Sequence, residues 1–259
     1  MLTEEEIRRI AKRRNMSVGL TEKDYVIEWL LKGIYESEIK DNLIFKGGTA
    51  IKKVYFQETW RFSHDLDFTA LCIDNEDIKN QLKGVFKDIE RKSSLKLEFK
   101  SFHATIGSII ANVQFSGPLN AKNRIRVDVS LDEKVITEPV FKTVASQYPD
   151  IAHCHVNAYS LNEIMAEKIR SILQRGKSRD YYEVWMLLKV EKFDLNEIRE
   201  LVIEKCKLKG IEFKLESIFD EDKLKDARRF WEIGLKDLVI ELPDFEFVVS
   251  ELENKLRKL

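Results

Sequence analysis

Two aspartates separated by one residue follow a glycine pair within Phe45–Phe68, FKGGTAIKKVYFQETWRFSHDLDF. If this end of the segment is a strand, Asp65 and Asp67 leave one face while Leu66 and Phe68 pack inward. Adjacent carboxylates repel each other, and aspartate is depleted in strands, whereas a hard divalent cation such as Mg²⁺ turns the repulsion into binding. The spacing therefore favours a metal site, the alternative being an ordinary strand with a polar outer face.

The glycine pair has the position of a phosphate-binding turn. Gly47, Gly48 and Thr49 follow an apolar strand and open a helix. Glycine permits close backbone approach, helix N-termini attract anions, and the threonine hydroxyl can donate to a phosphate oxygen. By itself the turn is more typical of a plain strand-to-helix connection, and it lacks the Gly-Lys-Ser/Thr ending of a Walker sequence. Beside the aspartates, it predicts a site for a nucleoside triphosphate and its metal ions.

A third carboxylate lies on a later predicted strand, residues 123–131, whose apolar residues alternate with polar ones. Asp128 belongs to the polar face of this strand. If the strand pairs beside the aspartate pair, Asp128 would bridge a second metal and activate an attacking hydroxyl. The alternative is a solvent-facing residue, because the sequence alone does not establish which strands are neighbours.

Lys168 interrupts the apolar stripe of a predicted helix over residues 161–175, which begins with a capping box from Ser160 to Glu163. A buried lysine is costly unless it is paired. One interpretation is an ammonium that reaches a triphosphate, and the other is a stem whose charged end returns to solvent.

Asp180 falls in the first turn of the next predicted helix, where an acidic residue also suits the helix dipole. Basic residues near it and on the strand of Asp128 are candidates for nucleotide or RNA phosphate contacts, although most such runs are solvated surface. They are Arg175, Lys177, Arg179, Lys122, Arg124 and Arg126.

Composition limits the class of protein. The chain has 259 residues, of which 44% are hydrophobic and 34% charged, with a net charge of −1, so no global basic field indicates nucleic acid. Three scattered cysteines fit a reducing cytoplasm rather than a disulfide framework. No apolar run is long enough for a bilayer, and the charged N-terminus is unlike a signal peptide. The run His153–His155 is only a weak metal signal, so we interpret it as structural.

The periodicity predicts a division near residue 158, between a mixed α/β domain over residues 1–158 and a helical domain over residues 159–259. The predicted strands in the first domain are 42–45, 65–71, 95–102, 105–115 and 123–131. The predicted helices in the second are 161–175, 179–190, 194–207, 221–239 and 244–257. The fold class is therefore α+β, a mixed sheet with flanking helices followed by an all-helical domain.

Several of these segments together resemble one known family. GGTAIKKVYF, RFSHDLDF and LNEIMAEKIRSILQRGKSRDYYEVWMLL are similar, in this order, to motifs of the AbiEii/AbiGii group of nucleotidyltransferase-like proteins. The start, LTEEEIRRIAKRRNMSVGLTEKDYVIEWLL, is similar to the N-terminal helices of that group. The resemblance covers about residues 2–190 and is less distinctive beyond.

The resemblance implies a DNA-polymerase-beta-like nucleotidyltransferase fold followed by a helical domain. Many members are toxins of toxin–antitoxin and phage-defence systems, paired with a winged-helix antitoxin. Characterised relatives use nucleoside triphosphates, and some add nucleotides to the acceptor end of transfer RNA.

The resemblance also implies roles for individual residues. It makes Gly47, Gly48 and Thr49 the phosphate turn, Asp65 and Asp67 the metal ligands, and Lys168 and Asp180 functional residues of the later motifs. The resemblance assigns a role to Asp128 less directly, because no short family motif surrounds this residue. The glycine element is Gly-Gly-Thr where many nucleotidyltransferases have Gly-Ser, and threonine keeps the hydroxyl.

The leading hypothesis is a cytoplasmic nucleotidyltransferase that uses Mg²⁺, or Mn²⁺ in its place, and a nucleoside triphosphate. The acceptor would be RNA, with tRNA the implied class, and the protein would act as a toxin. Asp65, Asp67 and Asp128 would hold the metals, while Lys168 and Arg61 would offset the triphosphate charge. Two alternatives stay open: transfer to a protein or small-molecule hydroxyl, and a nucleotide-binding interaction module with little turnover.

Overall fold

The computed structural model of the chain describes residues 1–257 and 259. It divides into two compact units. The first contains Met1–Val135 and Pro139–Tyr159, and the second contains Ile136–Glu138 and Ser160–Leu259. Among the described residues, no helix is both long enough and apolar enough to cross a bilayer. The domain division at residue 158 stays a prediction, and the placement of residues 136–138 in the second unit is a feature that no sequence pattern indicated.

The first unit is built on a mixed seven-stranded sheet with the order β3-β4-β5-β2-β1-β7-β6. Its strands are β1 Leu43–Lys46, β2 Asp65–Ala70, β3 Lys96–Ala104, β4 Ser108–Ser116, β5 Lys122–Ser130, β6 Val140–Val144 and β7 Cys154–Ala158. Its α-helices are α1 Glu4–Arg13, α2 Val18–Tyr35, α3 Gly47–Ala50, which continues as a π-helix over Ile51–Tyr55, and α4 Asn75–Ser93. A 3₁₀ turn spans Glu38–Asp41. The predicted α+β class is confirmed.

Alternation along β2 decides which face of the sheet is buried. Leu66 and Phe68 are fully buried, and the Phe68 ring lies 5.4 Å from Phe45 and 6.5 Å from Tyr35 of α2, measured between centroids. The Tyr35 hydroxyl donates to the Leu43 carbonyl at 2.8 Å, which ties α2 to β1. Because side chains alternate along a strand, this packing leaves the aspartates of β2 on the opposite face.

Two strands, β6 and β7, were absent from the sequence prediction. Along β6 only Val144 is buried and three consecutive residues are exposed, so the strand has no period-two pattern to detect. It forms one edge of the sheet, so one side of its backbone has no neighbouring strand to hydrogen-bond with. Strand β7 is short and lies between β6 and β1.

The second unit is helical. Its helices are α5 Leu161–Gln174, α6 Ser178–Val190, α7 Leu195–Leu208, α8 Glu221–Arg229, α9 Trp231–Leu235 and α10 Phe245–Leu256, with a 3₁₀ turn over Leu215–Phe219. The prediction of one helix over residues 221–239 was wrong, because the chain breaks at Phe230. The break accompanies burial of Trp231, whose ring centroid lies 5.1 Å from that of Phe245 and whose Nε1 donates to the Pro243 carbonyl at 2.9 Å.

A buried ion pair organises the centre of the second unit. Glu163 of α5 and Lys205 of α7 are almost fully buried, with 2.7 Å between Glu163 Oε1 and Lys205 Nζ. Glu163 also accepts hydrogen bonds from the amides of Ile136 and Thr137 at 2.8 and 2.9 Å, and from the Thr137 hydroxyl at 2.7 Å. The segment Ile136–Glu138 is thereby fixed against helix α5. Glu163 was predicted only as a capping residue, and Ser160 Oγ does accept from its amide.

Candidate active site

Three carboxylates lie on one face of the first unit's sheet. Strands β2 and β5 pair in parallel, so that Asp65 is opposite Arg126 and Asp67 is opposite Asp128. Directly opposed residues share a face, so the adjacency that the sequence left undecided is now established. All three aspartates are partly exposed, whereas Leu66 and Phe68 of β2 are buried.

Gly47 lies directly against Asp67. Its φ is +76°, in the left-handed region that favours glycine. A Cβ built on Gly47 would stand 2.3 Å from Asp67 Oδ2, which is too close for any side chain. The structure therefore brings the glycine turn and the aspartate pair together.

The Thr49 hydroxyl makes a different contact from the one predicted. Thr49 is fully buried, and its Oγ1 donates to the carbonyl of Asp65 and lies 2.8 Å from Ser63 Oγ. These bonds anchor the first residue of β2 to the helix that follows the glycines. In this structure the hydroxyl thus positions Asp65, and its predicted contact with a phosphate stays a prediction.

The loop between the glycine helix and β2 is held by a buried lysine. Lys52 Nζ donates to the carbonyls of Gln57 at 3.0 Å and Trp60 at 3.3 Å. Burial lowers the pKa of Lys52 to about 8. Arg61, predicted to offset triphosphate charge, is also buried in this loop, and its Nη1 donates to the Phe62 carbonyl at 2.7 Å.

Arg126 is the nearest cation to Asp128 on strand β5. Its Nε lies 2.8 Å from Oδ1 and 2.9 Å from Oδ2 of Asp128. Hydrogen bonding to Asp128, together with the charges of Asp128, Asp65 and Asp67, raises the pKa of Arg126 above its usual value. All three carboxylates thus act electrostatically on this guanidinium.

The carboxylates suit a divalent metal by donor type and by strand register. Carboxylate oxygens are the ligands that Mg²⁺ and Mn²⁺ prefer, and the lack of a Cβ at Gly47 gives the Asp67 carboxylate room to lie against the glycine turn. Within residues 1–257 and 259, however, no three His, Cys, Asp or Glu side chains converge as a ready-made metal cage. One visible reason is that Asp128 directs both oxygens to Arg126.

Lys46 is a candidate that the sequence reasoning missed. It ends β1 directly before Gly47, is opposite Asp67 in the sheet, and is buried. Its Nζ donates to Ser130 Oγ at 3.1 Å and lies 5.6 Å from the centroid of the Tyr159 ring. The signal was present in the sequence, because a lysine at the end of an apolar strand costs free energy unless the site uses its charge.

In the second unit, Lys168 pairs with a carboxylate. Lys168 Nζ lies 2.8 Å from Glu183 Oε2, and the two side chains are 13% and 1% exposed. The lysine of the apolar stripe is thus charge-paired across α5 and α6. Glu183 was not singled out from the sequence, although it lies three residues after Asp180 and so on the same helix face.

Asp180 has a clear local role. It accepts two hydrogen bonds from Arg175, at 2.9 Å from Nε and 3.0 Å from Nη2, and one from the amide of Lys177 at 3.3 Å. These contacts stabilise the start of α6, as expected for an acidic residue at a helix N-terminus. A functional role for Asp180 or Lys168 stays a prediction.

The histidine run and the cysteines have no catalytic geometry. His155 of β7 lies 5.1 Å from Phe141 between ring centroids and makes a 3.1 Å hydrogen bond with Thr143 Oγ1. The three cysteines, Cys72, Cys154 and Cys206, are unbridged.

Comparison with known proteins identifies the family of this chain. The sequence profile described as "Nucleotidyl transferase AbiEii toxin, Type IV TA system" matches residues 29–255. Among solved structures, a similar fold is found in MenT4, a nucleotidyltransferase toxin from Mycobacterium tuberculosis H37Rv, with a TM-score of 0.72 and 18% identity. The alignment covers 100% of this chain and 91% of that one. No curated protein sequence matches the chain. With a profile that spans most of its length, the chain belongs to the AbiEii family of nucleotidyltransferase toxins.

Proposed function

We propose that the protein is a metal-dependent nucleotidyltransferase that moves a nucleoside monophosphate from a nucleoside triphosphate to RNA, with tRNA the leading acceptor. The observation that carries the proposal is the register of β2 and β5, which sets Asp67 beside Asp128, with Gly47 in contact with Asp67. Carboxylate oxygens and a glycine turn at a helix start are donors of the kinds that bind a divalent metal and phosphate oxygens.

In the reaction proposed, an acceptor hydroxyl oxygen forms a bond to the α-phosphorus, and the bond from that phosphorus to the bridging oxygen breaks. Pyrophosphate leaves with the bonding electron pair, and a carboxylate, Asp128 by preference, takes the hydroxyl proton. Divalent metal bound by Asp65, Asp67 and Asp128 would supply charge stabilisation to the phosphates.

Other residues of the chain have roles in phosphate binding, positioning and charge compensation. The backbone at Gly47 and Gly48 would bind phosphate oxygens where the helix begins. Thr49 fixes Asp65 through its carbonyl. The buried ammonium of Lys46, opposite Asp67, would limit the repulsion between the carboxylates and the incoming phosphates. Lys168 and Asp180 stay predicted functional residues of the second unit.

The RNA acceptor, which the family resemblance implies, is supported by exposed basic residues on β5. Lys122 and Arg124 are exposed on the strand that carries Asp128. Basic side chains of this kind bind phosphate backbones through charge and are screened by salt. An RNA acceptor therefore predicts that activity falls as the salt concentration rises.

The deciding assay incubates the protein with each labelled nucleoside triphosphate, Mg²⁺ and total RNA. We expect Asp65→Ala and Asp67→Ala to lower label transfer by about 10²–10³-fold or more, the scale of a lost electrostatic stabiliser of the transition state. Asp88→Ala is the matched control, because Asp88 is an exposed aspartate of α4 that pairs with Arg91. Transfer that survives both active-site substitutions would refute this site.

The labelled products of the same assay also distinguish the proposed function from the alternative functions. Labelled protein or metabolite without labelled RNA would point to another hydroxyl acceptor. Tight triphosphate binding without pyrophosphate release would indicate a binding module.

We also propose that the antitoxin is a winged-helix protein, encoded beside this chain. The family description names a toxin–antitoxin system, which supports the existence of an antitoxin. Growth arrest on expression of the chain, relieved by the neighbouring winged-helix gene and absent with Asp65→Ala, is the expected result. Arrest that persists with Asp65→Ala would separate toxicity from the proposed chemistry.

A further inference from the structure

The Nε–H of Arg126 is shared between the two carboxylate oxygens of Asp128. The Nε atom of Arg126 is within 2.9 Å of both carboxylate oxygens of Asp128, two residues further along the same face of β5. A cation that binds both oxygens of this carboxylate from the same side must displace the guanidinium. The contact thus competes directly with any ligand role of Asp128.

The same guanidinium faces the other two aspartates. Arg126 is opposite Asp65 across the β2–β5 pair, and Asp67 is opposite Asp128. Like charges on neighbouring positions of one sheet face destabilise the sheet. Arg126 offsets this repulsion in the protein without metal, which is the task that a divalent cation would perform in the proposed enzyme.

The contact is also easy to break. The Arg126 and Asp128 side chains are 48% and 33% exposed. Ion pairs with this much access to water are weak and screened by salt. A divalent cation with two or three carboxylate ligands therefore has the advantage over Arg126.

We propose that Arg126 is an internal counter-cation of the carboxylate face, which divalent metal displaces from Asp128 and which then helps to hold the substrate phosphates. The proposal rests on the proposed function and adds a positioning residue to it. A guanidinium displaced from a carboxylate presents a planar set of donors that matches a phosphate equally well. Removal of Arg126 should therefore strengthen metal binding and weaken nucleotide binding.

The first test measures Mn²⁺ alone. Free Mn²⁺ is followed by electron paramagnetic resonance while it is titrated into the full-length wild-type protein and into Arg126→Met. We expect Arg126→Met to bind Mn²⁺ about three- to tenfold more tightly than wild type. This is the size of effect expected when a nearby positive charge is removed from a partly exposed site. Arg126→Lys, which keeps the charge but loses the planar fork, should fall between the two.

Arg124→Met is the matched control. Arg124 lies on the same strand and face, carries the same charge, is exposed, and is two residues further from Asp128. We expect its Mn²⁺ affinity to stay within about twofold of wild type, because exposed charges at that separation are largely screened. An equal increase in Mn²⁺ affinity in Arg124→Met and Arg126→Met would overturn the proposal. It would show that only the overall positive charge near the site matters.

The second readout is kinetic. In Arg126→Met, the Mg²⁺ concentration for half-maximal activity should fall while the KM for the triphosphate rises. A purely structural role would not move these two constants in opposite directions, and circular dichroism checks the fold of each variant.

A final variant separates failure of this inference from failure of the proposed function. Asp65→Asn should abolish the Mn²⁺ binding seen in wild type. If it does, and Arg126→Met binds Mn²⁺ no more tightly than wild type, Arg126 is not a competitor although the metal site stands. If neither wild type nor Arg126→Met binds Mn²⁺, the metal site and this inference fail together.

Discussion

Gly47 is subject to two constraints that only glycine satisfies at once. Its φ of +76° is unfavourable for residues with a Cβ, and the space where that atom would lie is filled by the Asp67 carboxylate. The sequence indicated the first constraint, because a glycine pair between strand and helix is typical of a turn. It did not indicate the second, because the contact with Asp67 depends on the antiparallel register of β1 and β2.

Gly47→Ala should therefore damage the carboxylate face. We expect a loss of stability of about 1–2 kcal/mol from the left-handed backbone alone. The displaced Asp67 carboxylate should also lower Mn²⁺ affinity and nucleotidyl transfer. Urea unfolding and Mn²⁺ titration measure the two effects.

Gly84→Ala provides a control of opposite sign. Gly84 lies within α4, and a Cβ there would meet no atom within 4 Å. Alanine favours helix over glycine, so this variant should be stabilised by up to about 1 kcal/mol. A Gly47→Ala variant that behaves like Gly84→Ala would contradict the close contact with Asp67.

At the scale of elements, the pairing of β2 with β5 creates the candidate site. Strong period-two patterns made β2 and β5 predictable, and helical spacing made α5 and α6 predictable. Their pairing was not, since 61 positions separate Asp67 from Asp128 and many strand orders are compatible with the same local patterns. The sequence indicated Arg126 only as one of several basic residues. Its contact with both Asp128 oxygens depends on the side-chain rotamer, which the sequence does not specify.

The Glu163–Lys205 pair stabilises the helical unit in a way that a double-mutant cycle can measure. Lys205→Met leaves a buried carboxylate with one charge partner fewer, and we expect a loss of about 3–5 kcal/mol in urea unfolding. Adding Glu163→Gln should recover part of this loss, because the carboxylate that lost its partner is then no longer charged. Lys207→Met, an exposed lysine of α7, should change stability by no more than about 0.5 kcal/mol. Additive losses in the cycle would show that the pair is not coupled.

For the whole molecule, buried tyrosines set an alkaline limit to stability. Burial raises the pKa values of Tyr25, Tyr35, Tyr148 and Tyr181 above the ordinary value of 10.0. Above pH 10 the unfolded chain loses these protons while the folded chain keeps them, so the free energy of unfolding falls as pH rises. Their contribution is complete below pH 10. Lys52 has the opposite sign, because burial lowers its pKa from 10.5 to about 8, so its cost to stability is complete below pH 8 and declines as the pH rises from 8 to 10.5.

Tyr25→Phe tests the alkaline limit. The Tyr25 hydroxyl donates to Asp150 Oδ2 at 2.7 Å and accepts from the Leu2 amide at 3.2 Å. Below pH 10 the variant should be less stable by about 0.5–1.5 kcal/mol for the lost hydrogen bonds. Above pH 10 its stability should fall less steeply than that of wild type, as measured by urea midpoints at a series of pH values. Parallel curves would exclude Tyr25 as a contributor.

The crossing of residues 136–138 into the helical unit has a consequence for inheritance. Glu163 is satisfied by amides that the gene encodes upstream of β6 and β7, within sequence that otherwise builds the sheet. A recombination event with one breakpoint near residue 159 would place new helices against a segment whose conformation and Thr137 hydroxyl fit the original Glu163. We therefore expect recombination between related genes to exchange the helical half together with this short upstream stretch, so that residues 136–259 are inherited as one piece.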